Sequence, residues 1–168
     1  MKKNLILTGM MGVGKSTIGK LLAKKLKLKF VDIDRNIEIK EQNTIKEIFK
    51  KKGEYYFRKI EETVSLQEIK KDNLVIALGG GAFINPLIRK VVKNSSTSIW
   101  LDLDLTTLIS RLKNAKKRPL LNNGELEKTI NKIYSQRKKI YNESDFKIKC
   151  DSMSTEEIVN SIIKLYEN

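Results

Sequence analysis

The chain has 168 residues, one cysteine, no histidine and a formal charge of +14 from 34 basic and 20 acidic side chains. With neither histidine nor a second cysteine, a Ser-His-Asp triad, a Cys-His dyad, a His-ligated zinc site and an intrachain disulfide are all excluded. Any metal should therefore be a hard ion held by oxygen.

No apolar run approaches the roughly 20 residues that span a bilayer, and the Met-Lys-Lys start leads into a strand with no cleavage pattern. The expectation is one cytoplasmic domain over residues 1–168, with no membrane partner. The lysines, as in Lys24-Lys25-Lys27-Lys29 and Lys50-Lys51-Lys52, are scattered over every helical pattern without the aromatic interleaving that would stack bases. They read as solvated faces able to steer anions, so no nucleic-acid partner is expected.

The first apolar run, Asn4 to Thr8, reads as a strand and meets the glycine-rich stretch GMMGVGKST, Gly9 to Thr17. Gly9, Gly14, Lys15 and Ser16 complete the phosphate-loop pattern, and Ile18, Leu21, Leu22 and Leu26 repeat at helical spacing after it. Gly9, Gly12 and Gly14 can let successive N–H groups turn inward as an anion nest. The helix beginning near Lys15 adds its positive dipole end. In this arrangement Lys15 reaches the β- and γ-phosphates of a nucleotide, and the Ser16 hydroxyl ligates Mg²⁺.

A second strand, Lys29 to Ile33, ends in the carboxylates Asp32 and Asp34. Read as alternate residues of an extended chain, they share a face about 6–7 Å apart at the strand's end. One can hold a Mg²⁺-bound water while the other accepts a hydroxyl proton. The alternative is that Asp34 caps a helix at Arg35. Two helices are expected before the third strand: a short one opened by a capping box at Thr44-Ile45-Lys46-Glu47 and ended by Gly53, and a longer one from Glu54 to Lys70.

On the longer helix Arg58 and Glu61 sit three apart and can pair, leaving the guanidinium oriented for a ligand. The chain holds 28 lysines but only six arginines, which suggests that some arginines stand where a planar fork matters. The third strand, Asn73 to Leu78, runs into Gly79-Gly80-Gly81, either a tight turn or a close approach to a ligand. Strands at Ser98 to Asp102 and Phe146 to Cys150 follow. Between them NAKKRPLLNNGE, Asn114 to Glu125, reads as a long loop, and RKKIY, Arg137 to Tyr141, lies on the next helix. A capping box at Ser154-Thr155-Glu156-Glu157 opens a final helix. Strands separated by helical crossovers predict an α/β fold, with a parallel sheet between two helical layers.

The ordered set GMMGVGKST, DID, GEYYFR with Glu61, GGG, RPLL and Arg137 with Tyr141 resembles the shikimate kinase family over essentially the whole chain. The resemblance implies a three-layer α/β/α fold with a central five-stranded parallel sheet, the P-loop kinase architecture with a mobile lid at about 112–125 and a substrate region at about 34–61. It implies ATP and shikimate as partners, one Mg²⁺ bound with ATP, and a monomer. It places phosphate binding at Gly12, Val13, Gly14, Lys15, Ser16, Thr17 and Arg118, and substrate binding at Asp34, Arg58, Gly79, Gly80, Gly81 and Arg137. Catalysis would rest on Lys15, Asp34 and Arg118, with Ser16 and, through water, Asp32 at the metal. Whether Asp34 is a base or a positioning acceptor stays open. Gluconate kinases, nucleoside monophosphate kinases and a basic nucleic-acid-binding protein are the rival readings.

Overall fold

A computed structural model describes residues 4–113 and 126–167. All of the expected lid except Leu112 and Lys113, and with it Arg118, lies outside the described residues. Five parallel strands form one sheet in the order β2-β3-β1-β4-β5. They are β1 (Asn4–Thr8), β2 (Lys29–Asp32), β3 (Leu74–Ala77), β4 (Ser96–Asp102) and β5 (Phe146–Lys149). β1, β3 and most of β4 are buried on both faces, as near-continuous apolar runs in a covered parallel sheet require.

The helices are α1 (Lys15–Leu26), α2 (Ile33–Glu41), α3 (Ile45–Ile69), α4 (Pro86–Ser95), α5 (Leu105–Lys113), α6 (Leu126–Tyr141) and α7 (Thr155–Glu167). Parallel crossovers are right-handed, so the direction of each strand-to-strand step fixes the face its helix covers. The step from β1 to β2 runs toward one edge of the sheet, and the steps from β2 to β3, β3 to β4 and β4 to β5 run toward the other. Helix α1 therefore covers the face opposite α3, α4 and α6. Helix α7 packs beside α1, where Lys25 and Glu156 pair at 2.7 Å. A crevice opens where neighbouring strands send their connections to opposite faces, here at the C-terminal end of β1.

Several boundaries differ from the sequence reading. The second strand stops at Asp32, whose carboxylate caps α2 by accepting from the Arg35 backbone N–H at 3.3 Å. Asp34 lies inside the first turn of α2, so the two aspartates are not alternate residues of one strand, and the cap is Asp32 rather than Asp34. Helix α2 is the helix at Arg35 that the sequence offers as its alternative, begun two residues earlier; only nine residues long, it has little more than two turns of periodicity. The helices on either side of Gly53 were expected, and they run together as α3 with a kink at that residue, φ 81° and ψ 171°. Leu112 and Lys113 complete α5 instead of starting a lid, and Leu112 packs under the phosphate loop against Gly12. Both expected capping boxes form, at Thr44–Glu47 and at Ser154–Glu157. Among the described residues no helix is long and apolar enough to cross a membrane.

One buried polar side chain ties the edge of this architecture together. Asn4 donates to the carbonyl oxygens of Ile69 at 3.0 Å and Lys71, and accepts from the Leu74 N–H at 3.0 Å. It thereby joins the end of α3 to the start of β3. Replacing it by alanine leaves a buried N–H and a buried carbonyl unpaired, which costs about 2–3 kcal/mol. Asn4→Ala should lower the melting temperature by about 5–10 °C for a chain of this size. A thermal melt displaced by less than about 2 °C would contradict this role.

Candidate functional site

The phosphate loop leaves β1 at the crevice and closes on the N-terminus of α1. Gly14 caps that helix at φ 104°, and its carbonyl already accepts from Ile18 at 2.9 Å. At Gly9, φ is 131° and an added methyl would come within 2.5 Å of the Leu101 carbonyl, so two independent constraints demand glycine there. The Lys15 ammonium donates to the carbonyls of Gly9 and Met10 at 2.8 and 2.9 Å, folding its side chain back over the loop. Ser16 donates from Oγ to the Asp32 carboxylate at 2.5 Å. Asp32 therefore has two tasks, capping α2 with one oxygen and meeting Ser16 with the other.

Gly12, Gly14, Lys15, Ser16, Thr17, Asp32, Asp34, Ala77, Leu78 and Gly80 line a cavity of about 250 Å³. Val13, by contrast, is buried, and its carbonyl accepts from Arg111 Nη1 at 3.4 Å. Arg111 was counted among the six arginines but given no part. Its position on α5 brings a guanidinium to the loop's rim, and the scarcity of arginine was the only signal for it.

Beside the phosphate loop lies a second cluster, assembled from three elements. On α3, Arg58 Nη1 pairs with Glu61 at 2.7 Å, and its Nε and Nη2 reach Glu54 at 3.3 and 3.2 Å. Glu54 is a partner that the sequence did not single out. Burial pushes the Glu61 carboxyl above its ordinary value; the charge and hydrogen bond of Arg58 pull it back, and the charge of Asp34 adds to the rise. For Arg58, burial works against the charged form, and the two glutamates together outweigh it and raise its pKa. From α6, Arg137 Nη1 donates to the Gly80 carbonyl at 2.9 Å, and the Tyr141 hydroxyl donates to the same oxygen.

The three glycines owe their identity to these neighbours. A methyl at Gly79 would come within 2.6 Å of Glu61 Oε1 and 2.7 Å of Asp34 Oδ1, and one at Gly81 would strike the Arg58 guanidinium. None of the three has a positive φ. A larger residue at Gly79 or Gly81 would thus have to displace these side-chain ends, whereas at Gly80 the nearest atom is the Met11 backbone nitrogen, 3.2 Å from the added methyl. The structure thus gathers Asp34, Arg58, Gly79, Gly80, Gly81 and Arg137 into one cluster, of which Asp34 and Gly80 line the cavity beside Lys15, Ser16 and Asp32. Arg118 lies outside the described residues.

The donor set around Ser16 and Asp32 is hard oxygen, which suits Mg²⁺. Among the described residues no group of three or more His, Cys, Asp or Glu side chains could hold a metal alone. An ion at Ser16 and Asp32 would thus draw further oxygens from phosphate and water.

A family profile described as shikimate kinase matches residues 11–167. A curated shikimate kinase from Persephonella marina is 43% identical over 161 residues, 96% of this chain and 97% of that protein. A solved shikimate kinase from Acinetobacter baumannii, in complex with shikimate, superposes with a TM-score of 0.94 at 32% identity and covers 97% of this chain and 92% of its own. The shikimate kinase of Aquifex aeolicus superposes with a TM-score of 0.86 at 36% identity, over 98% of this chain and 96% of its own. A family profile over residues 11–167 and 43% identity along nearly the whole of both chains place this chain in the shikimate kinase family.

Proposed function

We propose a division of labour among these residues for the family's reaction, in which ATP phosphorylates the 3-hydroxyl of shikimate to give ADP and shikimate 3-phosphate. The observation that carries it is the juxtaposition of the loop from Gly9 to Thr17 with the Asp34, Arg58, Glu61 and Arg137 cluster across one crevice. Further support comes from the related Acinetobacter baumannii structure, which is a complex with shikimate. In this reading the whole chain is one phosphotransferase domain, with the acceptor region at 34–61. The reading takes the chain as a monomer.

Binding comes first. ATP phosphates take the loop's N–H donors and the α1 dipole, and Lys15 exchanges the Gly9 and Met10 carbonyls for phosphate oxygens. Ser16 directly, and Asp32 through water, would hold Mg²⁺. When bound there, the ion would offset phosphate negative charge. Arg58 and Arg137 clamp the acceptor's carboxylate, one fixed by Glu61 and Glu54 and the other by the Gly80 carbonyl.

Asp34, beside Gly79, accepts the hydrogen bond of the attacking hydroxyl and aims its oxygen at the γ-phosphorus. As the bond to the leaving oxygen lengthens, Lys15 compensates the negative charge that spreads over the transferring group. Arg118 is assigned to the same charge on the strength of its sequence motif alone.

Acceptor-dependent ADP release, measured with shikimate, gluconate and nucleoside monophosphates in parallel, tests this function. Shikimate alone should support turnover, and Lys15→Ala should reduce it on the order of hundreds-fold, since losing such a donor costs about 3–4 kcal/mol. Preference for another acceptor, or near-normal turnover by folded Lys15→Ala, would overturn the reading.

Arg58→Lys keeps the charge but loses the planar fork that reaches Glu61 and Glu54 together. Its shikimate dissociation constant should rise by about tenfold or more, with ATP binding within about twofold of wild type. Calorimetric titration checks both constants. Weakened ATP binding with shikimate binding intact would remove Arg58 from the acceptor site.

A further inference from the structure

Tyr141 ends α6 fully buried, and no part in the reaction has been assigned to it. Its hydroxyl donates to the Gly80 carbonyl, the oxygen that also accepts from Arg137 Nη1 at 2.9 Å, and lies 3.9 Å from Met10 Sδ. A carbonyl oxygen has two lone pairs, so α6 saturates this one. Gly80 is held from the other side as well: a methyl there would stand 3.2 Å from the Met11 backbone nitrogen. The acceptor turn thus lies between the phosphate loop and α6, and Tyr141 touches both the loop and the turn. The Tyr141 ring in turn packs on Trp100, 5.9 Å between centroids, and Trp100 lies against Gly9. Burial raises the phenol's pKa against the opposing charge of Arg137, so the hydroxyl keeps its proton and remains a donor near neutral pH.

We propose that Tyr141 is a positioning residue that fixes the separation of the Gly79–Gly81 turn from the phosphate loop, and with it the alignment of acceptor hydroxyl and γ-phosphorus. The inference rests on the assignment of that turn and Arg137 to the acceptor site. Tyr141 touches neither substrate in this scheme. It acts through the Gly80 carbonyl, whose displacement would carry the acceptor out of line; small misplacements of reacting groups cost much in rate and little in ground-state binding.

Tyr141→Phe retains the ring, its volume and its packing on Trp100, removing only the hydroxyl. In the full-length chain kcat should fall about tenfold, while the dissociation constants for ATP and shikimate, measured separately by titration, stay within about twofold of wild type. Unchanged kcat, including unchanged kcat with a lowered melting temperature, would overturn the proposal by reducing Tyr141 to a packing residue. So would a loss confined to shikimate affinity, which would make the hydroxyl part of the acceptor pocket. Arg137→Lys, run alongside, separates this test from that of the site itself. Weakened shikimate binding in Arg137→Lys with normal kcat in Tyr141→Phe rejects the tyrosine's role alone, whereas intact shikimate binding in Arg137→Lys rejects the acceptor site on which that role rests.

Discussion

Glu61 is a carboxylate taken almost wholly out of water, and the acceptor side of the molecule is arranged around that fact. An isolated buried charge is costly enough that it must find a partner or a proton, and here the partner is Arg58 at 2.7 Å. The pair gains little for stability after desolvation, but it fixes a guanidinium whose long side chain would otherwise sample many rotamers. Glu54 grips the same guanidinium from one helical turn earlier, and the kink at Gly53 starts the segment that carries all three residues. Gly79 and Gly81 are glycines because this pair, with Asp34, occupies the space where their side chains would be. One half-buried ion pair therefore fixes an arginine, fills the space beside Gly79 and Gly81 and sets an anionic oxygen beside Asp34.

The phosphate side answers a different constraint. Here the backbone does the binding, and side chains keep it in shape. The loop must present N–H groups to phosphate, so its glycines answer to backbone angles and to the carbonyl of β4 lying close behind Gly9. The two sides meet at the end of β1 because α1 alone among the first crossovers covers its face of the sheet. Chain topology thus brings a donor site built of backbone and an acceptor site built of side chains to the same crevice.

Much of this was legible in the sequence, for reasons that differ by element. The phosphate loop could be read because its mechanism depends on residues spaced along one short stretch. Both capping boxes and the break at Gly53 were equally local, each set by two or three neighbouring residues. The Arg58–Glu61 pair followed from helical spacing. Helix α2 was legible only as an alternative, with its cap misplaced at Asp34, because Ile33 and Ile37 are its only buried side chains and because Asp32 both ends a strand and caps a helix. The grounds for the glycine triplet, the bond from Tyr141 to Gly80 and the placement of Arg111 depend on residues 18 to 98 apart in sequence. No periodicity or local motif encodes such distances; they arise when α3, α5 and α6 pack against the strand ends.

The central claim is that the buried carboxylate of Glu61 builds the acceptor site by holding Arg58. Its most direct test is the shikimate dissociation constant of Glu61→Gln, which keeps the volume beneath Gly79 and removes only the charge, with the ATP dissociation constant as internal control. The account predicts that shikimate binding weakens by about tenfold or more while ATP binding stays within about twofold, because neutralising Glu61 leaves Arg58 only the exposed Glu54 as its anion. Shikimate binding as tight as in wild type, in a folded Glu61→Gln protein, would contradict it.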